Sequence, residues 1–264
     1  MKVEAAAVAA RHPLSGQSLS TAAVSLQGQS LSTAAVSLQG QSLSTATVAM
    51  LPTPRWQGGE GRVYEPSEDT FLLMAALEGD AERLRSSRYP STVPLICLEI
   101  GSGSGVVSCF VASILGSATS YLTTDINHDA AHCTSVTASL NQVTLQPIIT
   151  DLVHALLPRL SGSVDLLLFN PPYVVTESSE VGLGDVSSSW AGGARGREVV
   201  DRLLPLVTSL LSPSGAFYLV CEQHNAPGEV MAWFRDRGFS SSSVNSQRAG
   251  TEILSVLRIE RSTS

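Results

Sequence analysis

The chain has 264 residues, of which 43% are hydrophobic, enough for one large domain or two small domains with a substantial core. Its net charge of −7 argues against a broad nucleic-acid-binding surface, and no apolar run reaches the ~18 residues that a membrane span requires. Its four cysteines have no C-x-x-C spacing. We therefore expect reduced, buried thiols and a cytoplasmic protein, with the nucleus as a further location.

Residues 1–55 differ in composition from the rest of the chain and carry an internal repeat. Residues 16–27 recur unchanged as residues 28–39, and an altered copy begins at Gly40. Each copy is rich in Ser, Thr, Ala and Gln and has too few apolar side chains to offset the chain entropy of folding. We predict a disordered low-complexity extension over 1–55 and one folded domain over 56–264, with ordered structure beginning near Arg62.

Hydrophobic periodicity predicts helices that alternate with strands in the folded domain. The first helix follows a Ser67 N-cap and two acidic residues. This first helix is predicted to end at residue 84, and further helices are predicted over 106–115, 128–140, 198–211 and 227–238. The predicted strands cover 95–100, 121–125, 145–151, 164–170, 215–222, 240–247 and 252–259. This order predicts an α/β fold with a doubly wound, mostly parallel seven-stranded sheet of Rossmann-like type and an antiparallel C-terminal hairpin.

The motif Asn170-Pro171-Pro172-Tyr173 directly follows one of the apolar strands. Each proline fixes φ at about −65° and lacks an N–H, so the chain must leave the sheet here. An amide side chain, two rigid carbonyls and an aromatic ring thus lie at the carboxyl end of a strand, where α/β sheets bind ligands. Taken alone, a Pro-Pro turn that closes a strand explains the same residues.

A glycine-rich turn, Gly101, Gly103 and Gly105, joins the first strand to the following helix. Its G-x-G-x-G spacing differs from the dinucleotide fingerprint, and the acid Glu99 precedes it. A carboxylate beside a helix N-terminus disfavours a pyrophosphate. It suits a ligand with positive charge, such as S-adenosylmethionine (SAM), which has a sulfonium and an ammonium group.

Each of the first four predicted strands has a polar residue at its carboxyl end: Glu99, Asp125, Asp151 and Asn170. Asp125 is placed to accept hydrogen bonds from ribose hydroxyls. Asp151 could hold an adenine amino group while Leu152 covers the ring. Any one of these residues is commonly a turn residue, but the four together with the glycines favour a SAM site.

These motifs resemble the HemK-like class I SAM-dependent methyltransferases, and specifically the eukaryotic catalytic subunit that methylates N5 of a glutamine in the translation release factor. The resemblance covers about residues 63–259. It rests on the motifs YEPSEDT (64–70), LEIGSGSGVV (98–107), TDIN (124–127), TDL (150–152), FNPPYV (169–174), WAGG (190–193) and GRE (196–198).

The resemblance implies a role for each of these motif residues. SAM contacts, direct or close by, are implied for Thr70, Glu99, Gly101, Gly103, Asp125, Ile126, Asp151, Leu152 and Asn170. The catalytic segment would be Asn170, Pro171, Pro172 and Tyr173. In it the Asn170 side chain and the Pro171 carbonyl would each accept a hydrogen bond from one N–H of the glutamine amide, and Tyr173 would pack against this amide. No metal is implied in this chain.

The resemblance also implies a heterodimer with a small zinc-binding activator subunit, which would pair with the sheet edge near strands 121–125 and 145–149. A histone lysine remains open as an additional substrate. The alternative activity is methylation of DNA adenine N6, which uses the same Asn-Pro-Pro-Tyr motif. Such an enzyme must hold and flip a base, and the acidic chain opposes phosphate contacts. A non-catalytic scaffold would be expected to lack some of the four strand-end polar residues.

The two remaining features are a histidine pair and a Gly-rich stretch. His128 and His132 share one predicted helical face without an evident third ligand, so we predict no metal site. The Gly-rich residues 190–196 are predicted to form a mobile loop through which Arg195 and Arg197 meet the substrate, with a solvated loop as the alternative.

Overall fold

The structure, a computed structural model, describes residues 51–86 and 95–262, so the predicted repeat extension lies almost wholly outside the described residues. Helices are α1 (Glu68–Gly79), α2 (Ala81–Arg85), α3 (Val106–Leu115), α4 (His128–Leu140), α5 (Glu198–Leu210) and α6 (Pro227–Arg235). Strands are β1 (Ile96–Ile100), β2 (Ser120–Asp125), β3 (Leu145–Ile149), β4 (Val164–Phe169), β5 (Leu211–Glu222), β6 (Phe239–Ala249) and β7 (Glu252–Arg261).

The seven strands form one sheet in the order β3-β2-β1-β4-β5-β7-β6, which confirms the predicted fold class. The first five strands are parallel to one another, whereas β7 runs antiparallel to both β5 and β6. The strand order reverses between β1 and β4. In open α/β sheets this reversal leaves a crevice at the carboxyl ends of the strands, and ligands bind there.

Helices cover both faces of the sheet, because the central strands are apolar on both sides. On one face Leu73 of α1 and Val111 of α3 belong to the same buried cluster. On the other face Leu203 of α5 and Phe234 of α6 do so. Burying each such side chain contributes about 1.5–3 kcal/mol of hydrophobic free energy. The helices on both faces therefore hold the sheet, and with it the strand ends that form the site, in place.

The predicted first helix is divided at Asp80 into α1 and α2. The Asp80 carboxylate accepts hydrogen bonds of 2.6 Å each from the Tyr218 hydroxyl and from Arg258. These partners lie on β5 and β7, far away in the sequence. Helical periodicity around residue 80 therefore could not predict the break.

The packed part of the chain begins before Arg62, although ordered structure was expected to begin only near that residue. The Arg55 backbone N–H and carbonyl pair with the side chain of Asn141 at 2.9 and 2.6 Å, and the Gln57 carbonyl accepts a hydrogen bond from the Cys133 thiol. Side chains of α4 thus satisfy the backbone of an irregular segment, and no local pattern signals this. Within the described residues, no helix is both long and apolar enough to cross a membrane.

Candidate active site

A cleft that is open to solvent lies at the carboxyl ends of β1, β2, β3 and β4. Its lining includes most of the predicted site residues: Thr70, Glu99, Gly101, Gly103, Asp125, Ile126, Asp151, Leu152, Asn170 and Pro172. Pro171 and Tyr173 lie beside the cleft, outside its lining. The fold thus brings together residues that are spread over a hundred positions of sequence, because parallel strands end at one edge of the sheet.

The three glycines of the turn after β1 all have positive φ, with values of 64°, 50° and 79° at Gly101, Gly103 and Gly105. A Cβ added at Gly105 would lie 2.9 Å from the Thr134 Cα, so this glycine allows α3 and α4 to pack closely. A Cβ at Gly103 would meet no described atom within 4 Å. Gly103 therefore exposes backbone to the cleft, where a ligand can approach it.

Glu99 is a buried carboxylate, 4% exposed, at the floor of the cleft. Its Oε2 accepts hydrogen bonds from the Ser108 hydroxyl and, at 3.0 Å, from the Ser108 backbone N–H. Burial, opposed by the two Ser108 hydrogen bonds and reinforced by the nearby charge of Asp125, raises the pKa of Glu99 to about 8. A cationic ligand beside Glu99 would favour its ionised form.

Asp125, the last residue of β2, joins the end of that strand to the glycine-rich turn. Its Oδ2 accepts a hydrogen bond from the Gly103 N–H at 2.9 Å, and its Oδ1 accepts one from the Asn127 N–H at 2.8 Å. Burial raises the pKa of Asp125, and these backbone hydrogen bonds oppose the rise. Each carboxylate oxygen has a further lone pair, so the group can still accept hydroxyl hydrogens from a ligand.

Asp151 forms an ion pair with Arg202 of α5, which also lines the cleft. No local pattern predicts a role for Arg202, because it lies 51 positions from Asp151 in the sequence. The next residue, Leu152, is buried with a left-handed φ of 49°. The arrangement places a carboxylate and an apolar side chain together at the rim. The contact of Asp151 with an adenine amino group stays a prediction.

Asn170, directly after β4, has a buried side-chain oxygen that accepts no hydrogen bond within residues 51–86 and 95–262. Leaving such an acceptor unsatisfied costs about 1–3 kcal/mol. The side chain lines the cleft, and the two prolines after it are buried. This oxygen is therefore a candidate acceptor for an N–H or O–H group of a ligand.

Asp69, which was expected only as an acidic residue at a helix start, is a second buried carboxylate of the cleft. It is 4% exposed and accepts hydrogen bonds from the Tyr64 hydroxyl at 3.1 Å and the Tyr173 hydroxyl at 3.5 Å. Burial, followed by the charge of Asp69, raises the pKa of both tyrosines, so both hydroxyls stay protonated as donors. In the sequence, the YEPSEDT motif (64–70) was the one indication of these hydrogen bonds to Asp69, since it contains both Tyr64 and Asp69.

Tyr173, which was expected to pack against the substrate amide, contacts the protein core and Asp69. Its side chain packs against the hydrophobic cluster under α1, and its hydroxyl points towards Asp69. Its packing against a substrate amide stays a prediction.

In the stretch 190–197, the prediction that Arg197 meets the substrate is wrong, whereas the substrate contact of Arg195 stays a prediction. Arg197 is 7% exposed and pairs with Asp201 at 2.7 Å and with Glu229 at 2.8 Å. Arg195 also pairs with Glu229, at 2.8 Å. The two arginines attach this stretch to α5 and α6, because both helices present carboxylates to it.

The metal-ligating residue types do not cluster in the described part of the chain, where no group of three or more His, Cys, Asp or Glu could hold a metal ion. All four cysteines are buried free thiols, as expected. Burial raises the pKa of each of them: Cys97, Cys109, Cys133 and Cys221. Their thiols therefore stay protonated at neutral pH.

Comparison with known proteins shows to which family the chain belongs. Residues 90–185 match the Methyltransferase small domain. The chain is 52% identical over 217 residues to Methyltransferase HEMK2 of Mus musculus, covering 80% of this chain and 98% of that protein. It belongs to the HEMK2 family of methyltransferases. A more distant HEMK2-family relative, the eRF1 methyltransferase catalytic subunit mtq2 of Schizosaccharomyces pombe, is 36% identical and matches 75% of this chain and 89% of that protein.

The HEMK2-family assignment agrees with the fold. The solved structure of the E. cuniculi Mtq2–Trm112 complex, described as responsible for methylation of the eRF1 translation termination factor, contains a chain with the same architecture. The two chains superpose with a TM-score of 0.56 at 27% identity, covering 76% of this chain and 99% of that chain. The chain is thus an enzyme of the methyltransferase class.

Proposed function

We propose that this chain transfers a methyl group from SAM to the side-chain amide nitrogen (N5) of a glutamine in an eRF1-type translation release factor. The observation that carries the proposal is the buried, unpartnered Oδ1 of Asn170 at the cleft. An oxygen in this position can accept a hydrogen bond from one N–H of a planar NH₂ group. The activities named for the mtq2 relative and for the Mtq2–Trm112 complex support glutamine of eRF1 as the substrate.

The residues of the cleft fit SAM. Gly103 exposes backbone to the cleft and leaves room for a ligand. Glu99 has a raised pKa that a positively charged group would lower. Asp125 has lone pairs left for ribose hydroxyls. When bound, SAM supplies an electrophilic methyl group, and the chain's own residues hold the acceptor nitrogen in front of it.

The chain activates a weak nucleophile by positioning it. The lone pair of an amide nitrogen is delocalised into the carbonyl, so orientation and charge stabilisation must supply the rate. Asn170 Oδ1 accepts one N–H of the substrate NH₂, and we expect the Pro171 carbonyl to accept the other. Both acceptors stabilise the positive charge that develops on the nitrogen as the new bond forms. The excess proton leaves to water after transfer.

A partner subunit of the Trm112 type is part of the proposal. Within the described residues β3 is one of the two edge strands of the sheet and pairs with β2 alone. Ile149 at its end is 54% exposed. An uncovered edge strand with an apolar side chain is an aggregation risk that a small, zinc-binding partner would remove by extending the sheet. We expect the isolated chain to be poorly soluble.

The acidic cleft disfavours the DNA alternative. Asp69, Glu99, Asp125 and Asp151 all line the cleft, and the whole chain has a net charge of −7. Phosphates of a bound strand would meet carboxyl groups rather than a basic groove, since Arg202 in the lining is already paired with Asp151. No described feature favours adenine over a glutamine amide.

The proposal is tested with the full chain co-expressed with a Trm112-type subunit and with methyl-labelled SAM. The substrates are the intact release factor, its Gln→Ala variant in the Gly-Gly-Gln loop, a histone mixture and unmethylated duplex DNA. We expect label on the release factor alone, and none on the Gln→Ala variant. Label on DNA, or label on histones with none on the release factor, contradicts the proposal.

A further inference from the structure

Asn225, in the turn after β5, ties two backbone segments together beside the active site. Its side chain is 5% exposed, and its Nδ2 donates hydrogen bonds to the carbonyls of Tyr173 at 3.1 Å and of Arg195 at 3.0 Å. Its Oδ1 accepts a hydrogen bond from the Glu222 N–H at 3.2 Å. The amide group therefore uses both of its N–H donors on carbonyls, and one of these carbonyls ends the Asn-Pro-Pro-Tyr motif.

Residues 190–197, which we call the brace loop, lie directly against the same carbonyl. A Cβ added at Gly196 would lie 2.0 Å from the Tyr173 carbonyl oxygen and 2.5 Å from the Asn225 Nδ2. The next residue along, Val174, exchanges hydrogen bonds with the brace loop: its N–H donates to the Trp190 carbonyl at 2.9 Å and its carbonyl accepts from the Gly192 N–H at 2.8 Å. The motif and the brace loop thus pack as one unit.

The brace loop is itself fixed to α6. Glu229 of that helix accepts hydrogen bonds of 2.8 Å from both Arg195 and Arg197. Arg195 has a left-handed φ of 58°, a costly conformation for a residue other than glycine, and it places the Arg195 carbonyl within reach of Asn225. The hydrogen bond from Asn225 offsets part of that cost.

We propose that Asn225 is a positioning residue for methyl transfer, which sets the Tyr173 carbonyl and thereby the orientation of Asn170 and Pro171. The inference rests on the proposed function, in which those two residues hold the substrate amide. The two prolines make the segment stiff, so a shift at its Tyr173 end moves the Asn170 end as well. A misplacement of about 1 Å can reduce a reaction rate by about 10²-fold.

The test is the substitution Asn225→Asp in the full chain with its Trm112-type subunit. This change keeps the shape of the side chain but replaces the N–H donors by an oxygen that repels the two carbonyls. We expect kcat for the release factor to fall by at least about tenfold, while the Kd for SAM stays within about twofold of the wild type, since Asn225 does not line the cleft. A protein that is only destabilised would not show this separation of kcat from SAM affinity.

Asn141→Asp is the matched control. The Asn141 Nδ2 also donates to two backbone carbonyls, those of Arg55 and Thr137, at 2.6 and 2.7 Å. It lies at the end of α4 and does not line the cleft. The same chemical change there should lower the thermal unfolding temperature and leave kcat of the folded protein unchanged. If Asn225→Asp does not fold, the neutral Asn225→Ser is measured in its place.

A folded Asn225 variant with wild-type kcat overturns the inference and leaves the proposed function standing. If the wild-type protein itself does not methylate the release factor, the proposed function fails. In that case hydrogen exchange decides the positioning claim, because it needs no substrate. Asn225→Asp should speed exchange of the Val174 and Thr176 amides, which bond to the brace loop. Unchanged exchange at these amides overturns the inference.

Discussion

The Asp125 Oδ2 accepts a 2.9 Å hydrogen bond from the Gly103 N–H, so the end of β2 holds the turn that follows β1. Asp125 ends β2 and Gly103 lies in the turn after the neighbouring parallel strand β1, where its φ of 50° is one that glycine adopts readily. One carboxylate thus shapes the turn and keeps lone pairs for a ligand. The geometry of the methyl-donor site depends on this pair.

Replacing Asp125 should weaken SAM binding more than it weakens folding. Asp125→Asn removes the charge that strengthens the hydrogen bonds to Gly103 and to ribose hydroxyls, each worth about 1.5–3 kcal/mol when charged. We expect the Kd for SAM to rise at least about tenfold in calorimetry. Asp129→Asn, which removes a nearby carboxylate that pairs with Arg62 at 3.8 Å, is the control and should leave the Kd unchanged. Equal effects in both variants would refute the assignment.

Alanine at Gly103 and at Gly105 should have different effects. Gly103→Ala adds a methyl group that points into open space but occupies the ligand's approach, so SAM affinity should fall while the positive φ costs about 1–2 kcal/mol of stability. Gly105→Ala brings the same φ cost and in addition a clash with Thr134, so its unfolding temperature should fall further. Thermal unfolding and SAM titration of both variants measure this. Identical unfolding temperatures would contradict the packing role of Gly105.

Glu99 should link SAM binding and stability to pH. Its pKa rises from an ordinary 4.5 to about 8 in the folded chain, so between these values the folded state binds more protons than the unfolded state. Stability from this group is therefore present below about pH 4.5 and is lost as the pH rises towards 8. Binding of a cation should then release a proton near neutral pH, visible as a buffer-dependent binding enthalpy. Glu99→Gln should abolish the proton release; an unchanged release would contradict the assignment.

Asp69 should affect catalysis more than SAM binding. Asp69→Asn keeps a hydrogen-bond acceptor for Tyr64 and Tyr173 but removes the charge behind the Asn-Pro-Pro-Tyr segment. We expect kcat to fall about tenfold with the Kd for SAM within about twofold. Its exposed neighbour Glu68 provides the control Glu68→Gln, which should change neither value. A fall of the same size in both variants would show a general charge effect.

The sequence predicted most of the fold and of the methyl-donor site, for a physical reason. Strand-ending polar residues can be identified locally, and parallel strands place their carboxyl ends at one edge, so Glu99, Asp125 and Asn170 meet without further information. The turn after β1 was equally local, since only glycine adopts its positive φ values readily. These elements need no knowledge of distant side chains.

The remaining features depend on long-range pairs that no local pattern encodes. Asn225 contacts a carbonyl 52 positions away, and Arg202 meets a carboxylate 51 positions away. The predicted exposure of Arg197 failed for the same reason, because its partner Glu229 lies on another helix. Charge in a Gly-rich stretch is usually solvated, and only the folded chain shows that this one is buried.

The central claim is that Asn170 Oδ1 holds the substrate amide, and Asn170→Ala tests it most directly. Methyl transfer to the release factor is measured beside SAM titration in the complex with a Trm112-type subunit. Asn245→Ala is the control, because the Asn245 side chain accepts a hydrogen bond from the adjacent Ser246 N–H, away from the cleft lining. We predict that Asn170→Ala lowers kcat by about 10²-fold or more while the Kd for SAM stays within about twofold. A kcat equal to that of the control would contradict the account.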